Sequence, residues 1–433
     1  METKPDAFNA GSNCRFFVFW LAGLIAAIGS GMTSFGIGVY VFERTDSAFV
    51  KSMISLAAFL PTIVVGPFAG ALADRFDRRK LIVLSDGLST LGVLLILYAV
   101  YFTNSNIFLI GCGVFLSALF SSMIEPAAKA TVSDILNEKD YTKASGLLQL
   151  AESARFLISP VICAMVMAKG GLEAVLFIDL FTILSTIGAV ICISRGLESK
   201  ESTNEKGLGK QNLRQGFAAI KNNAGIRVLV IFMILLTFMV GSLQELSTPL
   251  VLSFTDAKAL SMMITIAALG MVASSLYLGI REIKGNKIKI FSISAFGAGA
   301  AMVGFGIQEK VWLVTLFGFL FFATLPFMNS IADYFVRVNI PNTLQGRVFG
   351  IIGTISQIGY LFAYAFTGLL SDFIFRPLLS EGGLLASSIG AIIGVGTGRG
   401  IGLLIMCEGF ALMILAIFLP ASKGLSGLKG IGN

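Results

Sequence analysis

The chain has 433 residues, of which 55% are hydrophobic and only 13% charged, with a mean hydropathy of +0.86. Soluble domains carry about 25% charged residues, so polar surface is too scarce here to cover a water-soluble globule. The formal charge of +7 gathers in a few loops, which fits a membrane protein's topology bias and requires no nucleic acid. Histidine is absent, so any proton coupling has to use carboxylates. The five cysteines, at 14, 112, 163, 192 and 407, are scattered without a CxxC pair. They read as small buried hydrophobes, giving neither a disulfide framework nor a metal site.

Apolar segments of bilayer-spanning length recur from end to end. The first, about Phe16 to Phe42, is too long for the apolar region of a cleavable signal. Glu43 to Lys51 is a short outer loop. The second span, about Lys51 to Leu72, contains Pro61 and Pro67, where bends are expected. Gly70 to Lys80 follows, a knot of charge between two apolar runs. The third span runs from about Leu81 to Phe102; from Leu81 to Ile124 the only charge is Asp86. The fourth is about Ile107 to Ala128. A polar stretch, Lys129 to Lys143, comes next as a cytoplasmic helix or lateral loop.

The fifth span, about Ala144 to Ala168, holds Glu152, Arg155 and Pro160, the last a further expected bend. The sixth, about Val175 to Ile193, holds Asp179. Residues 195–225 read as a cytoplasmic linker, mixing basic residues with Ser, Asn, Gly and Glu. Six more spans are placed at about 227–250, 258–280, 288–307, 311–335, 346–370 and 401–419. Pro326 marks a bend in the tenth. Residues 372–399 form the longest outer connection; its stretch Leu384 to Val395 is too short to span, and is re-entrant, interfacial or packed on the bundle.

Most of the 32 Lys and Arg fall in alternate loops, which favours twelve spans with both termini cytoplasmic. Pro126 and Gly146 in the first half are spaced as Pro326 and Gly346 in the second. Together with the linker, this echo suggests two repeats: residues 1–194, a linker 195–225, and residues 226–433. The expected fold is an all-α membrane protein with 12 transmembrane helices in two six-helix halves.

Gly70-Ala-Leu-Ala-Asp74-Arg75-Phe-Asp77-Arg78-Arg79-Lys80, lying between spans two and three, resembles the signature loop of the major facilitator superfamily. Asp77 stands where that pattern usually has a second glycine. Within the superfamily the chain looks most like bacterial macrolide-efflux-type and drug:proton antiporters. Leu344 to Phe349 and Gly396 to Gly402 carry that likeness. The antiporter motif of span five keeps Pro160 but has Ser159 before it. The resemblance implies a monomeric carrier in the bacterial inner membrane, without cofactor or bound metal. It would export a drug, macrolide or siderophore-like amphiphile by proton antiport and contribute to antibiotic resistance. A lipid or lysophospholipid flippase, an uptake carrier and a non-transporting membrane sensor are the alternatives.

Several charged residues are candidates for that work. Gly70, Asp74, Arg75, Arg78, Arg79 and Lys80 form either a cytoplasmic gating latch or a plain topology signal, and the basic ones face anionic lipid headgroups. Glu152 and Arg155, three apart, share a helix face. They are either a cavity-lining pair with Glu152 carrying protons, or a static structural pair. Asp179, Glu245, Asp333 and Glu408 are the other carboxylates that bind protons or a cationic substrate, Glu245 and Asp333 also having a snorkelling reading. The aromatics of Trp312 to Phe327 read first as lipid contact and helix packing. No GxxxxGK[ST] loop occurs, which argues against an ATP-driven pump.

Overall fold

The computed structural model describes residues 7–75, 77–103, 105–124, 127–128, 131, 135, 151, 154–194, 210–281 and 285–428. Among these every regular element is helical. Ten helices are long and apolar enough to cross a membrane, and an eleventh, Ile107–Ser121, is apolar but shorter. The protein is therefore an all-α, multi-pass membrane protein. The expected count of twelve spans is not reached among the described residues, for two reasons. The fourth helix is described only to Ser121. The run Ser159–Ser194 joins two helices at Gly171, whose φ of 65° breaks the helical path. The beginning of the expected fifth span, residues 144–150, lies outside the described residues.

The elements are α1 (Ala7–Thr45), α2 (Ala48–Arg75), α3 (Arg78–Phe102), α4 (Ile107–Ser121) and α5 (Ser159–Ser194). After them come α6 (Lys210–Asn222), α7 (Ala224–Leu252), α8 (Ala257–Ile280), α9 (Lys287–Ile307), α10 (Val311–Asn339) and α11 (Asn342–Leu370). A π-turn (Ser371–Phe375) and two short helices, α12 (Arg376–Leu378) and α13 (Gly390–Ile393), lead to α14 (Thr397–Phe418). Side-chain caps mark several starts: Asp77 accepts from the Arg79 N–H at 3.0 Å and Asn106 from the Phe108 N–H at 3.0 Å. The departure from the family pattern at Asp77 thus gives α3 its N-cap.

α2 runs unbroken past Pro61 and Pro67, and α10 past Pro326. Pro160 sits at the second position of α5, and residues 154–157 just before it are helical too. The break falls at Gly171 instead, because only glycine takes that φ without strain.

Two compact units divide the chain: residues 1–41 with 54–205, and residues 42–53 with 206–433. In the first, hydrogen bonds tie α5 to α1. Ser159 Oγ donates to Ile28 O at 3.0 Å, Cys163 Sγ to Met32 O at 3.2 Å, and Thr33 Oγ1 to Asp179 Oδ2 at 2.7 Å. Phe16, Phe19, Leu81, Ile82, Val190 and Ile193 form an apolar core at one end.

In the second unit α6, which occupies the C-terminal part of the expected linker, packs on α11 and α7. α9 and α14 meet along a glycine seam. A Cβ on Gly409 would fall 2.6 Å from Gly299 O, and one on Gly306 would fall 2.3 Å from Gly402 O. Backbone meets backbone there, which in lipid is how helices gain packing contact. Gly409→Val is expected to cost roughly 1–3 kcal/mol by overpacking, read as a lowered melting temperature in detergent. An unchanged melting point would mean that the helices part freely at that level.

Residues 42–53, the tip joining α1 to α2, belong to the second unit. Arg376 Nη2 meets Asp46 Oδ2 at 3.0 Å and Arg376 Nη1 meets Asp372 Oδ1 at 3.2 Å. Asp372 Oδ2 accepts from Ser47 Oγ at 2.7 Å and from the Phe49 N–H at 2.9 Å. A Cβ on Gly368 would strike Ala48 O at 2.5 Å. The tip is therefore bound through its backbone as well as through charge.

Candidate functional site

The first unit has a polar centre inside apolar helices. Asp179, on the second helix of α5, is 4% exposed. Its carboxylate accepts from Thr33 on α1 at 2.7 Å and from Thr182, one turn on, at 3.4 Å. The Arg155 guanidinium lies near enough for its charge to act on Asp179. Gly31 makes room for it: a Cβ there would sit 2.9 Å from the Arg155 chain. Asp86 on α3 is 5% exposed, its Oδ2 has no hydrogen-bond partner, and the Asp179 charge acts on it. Two buried carboxylates and a half-buried arginine thus act on one another's charge. A charge inside a membrane-spanning segment is costly and is kept where it has a partner or a task.

The expected partner of Arg155 was Glu152. Glu152 lies outside the described residues; among those described, the Arg155 charge acts on Asp179. The side chains of Asp74 and Arg75 are likewise outside them, although α2 continues through Gly70 to Arg75. Of the rest of that loop, Arg79 is buried, Arg78 is half-buried and Lys80 is exposed.

The second unit has a paired centre on α7. Pro249 sits four residues after Glu245 and has no N–H, so the Glu245 carbonyl loses its helical donor. Lys51 supplies the replacement. Its ammonium donates to Glu245 O at 3.0 Å and to Glu245 Oε2 at 2.9 Å. Both side chains are 7% exposed. One lysine therefore satisfies both the orphaned carbonyl and the carboxylate. One turn back on α7, Ser242 Oγ donates to Glu408 Oε2 of α14 at 2.5 Å, while Glu408 Oε1 has no partner. Asp333 differs from these: it is exposed on α10 with Arg337 one turn away. Among the described residues no group of three or more His, Cys, Asp or Glu is placed to hold a metal ion.

Sequence reasoning missed Lys51, Asp86, Thr33 and Ser242 as members of these centres. Asp86 had a signal, as the only charge in a long apolar stretch. Thr33 and Ser242 had none, because hydroxyl residues are ordinary in membrane helices.

These buried polar centres, each carried by apolar helices, define a carrier-like membrane protein. Residues 19–364 match the model of the Major Facilitator Superfamily, and the chain belongs to that superfamily. It is a secondary-active transporter of a small molecule across a membrane, and not an enzyme. Macrolide efflux protein A of Streptococcus pyogenes is 23% identical over 364 residues, covering 83% of this chain and 89% of that protein. Among solved structures, a bacterial homologue of the human lysosomal transporter Spinster aligns with a TM-score of 0.70 at 11% identity, over 98% of each chain. A D-xylose-proton symporter aligns with a TM-score of 0.65 at 13% identity, over 94% of this chain and 98% of that one. These two share the fold.

Proposed function

We propose that this chain carries a small amphiphilic solute by alternating access, driven by protons that bind at Asp179. The observation behind the reading is the buried group of Asp179, Asp86 and Arg155, with Thr33 as hydrogen-bond donor. A carboxylate between a like charge and an opposite one changes its proton affinity when either neighbour moves. A conformational change that shifts Arg155 or α1 would then release or take up a proton. Glu408, with one free oxygen, is a second proton candidate, and Asp74 of the signature loop remains the proposed latch at the other end of α2. Lys80, the exposed member of the loop's basic run, is assigned to lipid headgroups. The twelve-span plan in two six-helix halves, with cytoplasmic termini and a monomeric working unit, is part of the same reading.

Export is the direction favoured by the likeness to macrolide efflux protein A, and a macrolide or similar drug is its first test cargo. Uptake, or lipid handling, is the second reading. A fold shared at nearly full length with a proton symporter serves inward movement as readily as outward.

Proteoliposomes loaded on either side with labelled macrolides, lysophospholipids or small polar nutrients discriminate these readings. An imposed proton gradient is expected to drive accumulation of at least one class, and a protonophore to abolish it. Accumulation against the gradient's direction marks antiport, and accumulation along it marks symport. Movement that ignores the protonophore for every cargo would overturn proton coupling.

A further inference from the structure

An open groove of about 850 Å³ lies between α8 and α10, walled by Ile266, Trp312, Thr315, Leu316 and Phe319, with Lys310 at its end. Its wall is almost wholly apolar. The neighbouring Leu269 and Leu320 are exposed, and both helices are long and apolar enough to cross a membrane. The groove therefore faces the hydrocarbon of the bilayer. Its mouth is at the first residues of α10, and Trp312 stands there 62% exposed, at the level where tryptophan meets the headgroup region.

The charge at the mouth is unbalanced. Glu309, the nearest acid in sequence, is taken by Arg399, whose Nε donates to it at 2.8 Å. α8 and α10 run in the same direction, with Gly318 against Ala267 and Gly270 against Phe319. Lys258, in the first turn of α8, is thus at the same end as Lys310. Asp256 is engaged in capping α8, accepting from the Ala259 N–H at 2.8 Å. Among the described residues neither lysine has an ion-pair partner within the protein. An apolar trough with two unneutralised ammonium groups at its membrane-surface end matches one kind of molecule, a lipid with acyl chains and a negative headgroup.

We propose that this groove binds a phospholipid with an anionic headgroup, one acyl chain lying along Phe319, Leu316 and Ile266 and the phosphate held at Lys310 and Lys258. The site is separate from the proposed proton pathway and stands whether or not that reading holds.

The chain contains only two tryptophans, so Trp20→Phe leaves Trp312 as the sole indole reporter. The full chain in phosphatidylcholine micelles is titrated with phosphatidylglycerol brominated on its acyl chains, and separately with brominated phosphatidylcholine. Trp312 fluorescence is expected to be quenched at about tenfold lower concentration of the anionic lipid. Lys310→Glu combined with Lys258→Glu should remove that preference and leave quenching by phosphatidylcholine unchanged. Both lysines are exposed, so the variant tests charge without disturbing the core. Equal quenching by the two lipids would overturn the site, as would a preference that survives both substitutions. A water-soluble alkyl phosphate that displaces the lipid at equal concentration would also overturn it, in favour of a soluble amphiphile.

Discussion

Lys51→Ala is expected to be the most destabilising single change at the polar centres. The substitution leaves the Glu245 carboxylate buried without its cation and the Glu245 carbonyl without any donor, since Pro249 cannot provide one. Breaking a buried ion pair from one side costs about 3–5 kcal/mol, and the orphaned carbonyl adds to that. The measurement is thermal unfolding of the purified protein in detergent. The double variant Lys51→Met with Glu245→Gln should recover most of the loss, because no uncompensated charge remains. A melting temperature for Lys51→Ala equal to that of the parent would mean that water reaches the pair and that its burial is not maintained in solution. Transport should fall in the single variant and return in part in the double one.

Asp179→Asn addresses the coupling. Asparagine keeps the size and the hydrogen bond from Thr33 but cannot exchange a proton. Gradient-driven accumulation should fall at least about tenfold, equivalent to losing 1.4 kcal/mol or more of drive. Exchange of labelled for unlabelled solute across the membrane, which needs no proton turnover, should continue. Thr33→Val gives a milder version: it removes a hydrogen bond to a charged group, worth about 1.5–3 kcal/mol, and should shift the pH at which accumulation is half-maximal. If Asp179→Asn accumulates solute as the parent does, the proton passes elsewhere, and Glu408 becomes the first place to look.

The difference between these two sites also shows how far a sequence can be read. Apolar length fixed most of the spans, because nothing but a bilayer explains segments such as Ala224–Leu252. Asp179 was visible as a charge where charge is costly. What could not be seen was its company. Thr33 lies 146 positions away, and Lys51 and Glu245 lie 194 apart; no local periodicity encodes either meeting. The prolines need the same distant information. Proline's effect depends on whether its missing N–H would have been used. At Pro249 the loss was real, and a distant lysine made it good. Nothing in the sequence around Gly171 marks the φ of 65° at which its helix breaks.

The membership of residues 42–53 in the second unit bears on how the protein is made. Lys51 leaves the ribosome 194 residues before Glu245, an interval of about 10–40 s at ordinary rates of synthesis. For that time the first two helices are in the membrane with the Lys51 ammonium at their tip and Glu245 not yet made. Asp46 waits still longer for Arg376, which follows it by 330 residues. The second unit is thus completed by a piece of chain synthesised near the beginning, and a nascent protein halted before α7 would present that tip, still charged and unpaired, to the membrane surface and to the insertion machinery.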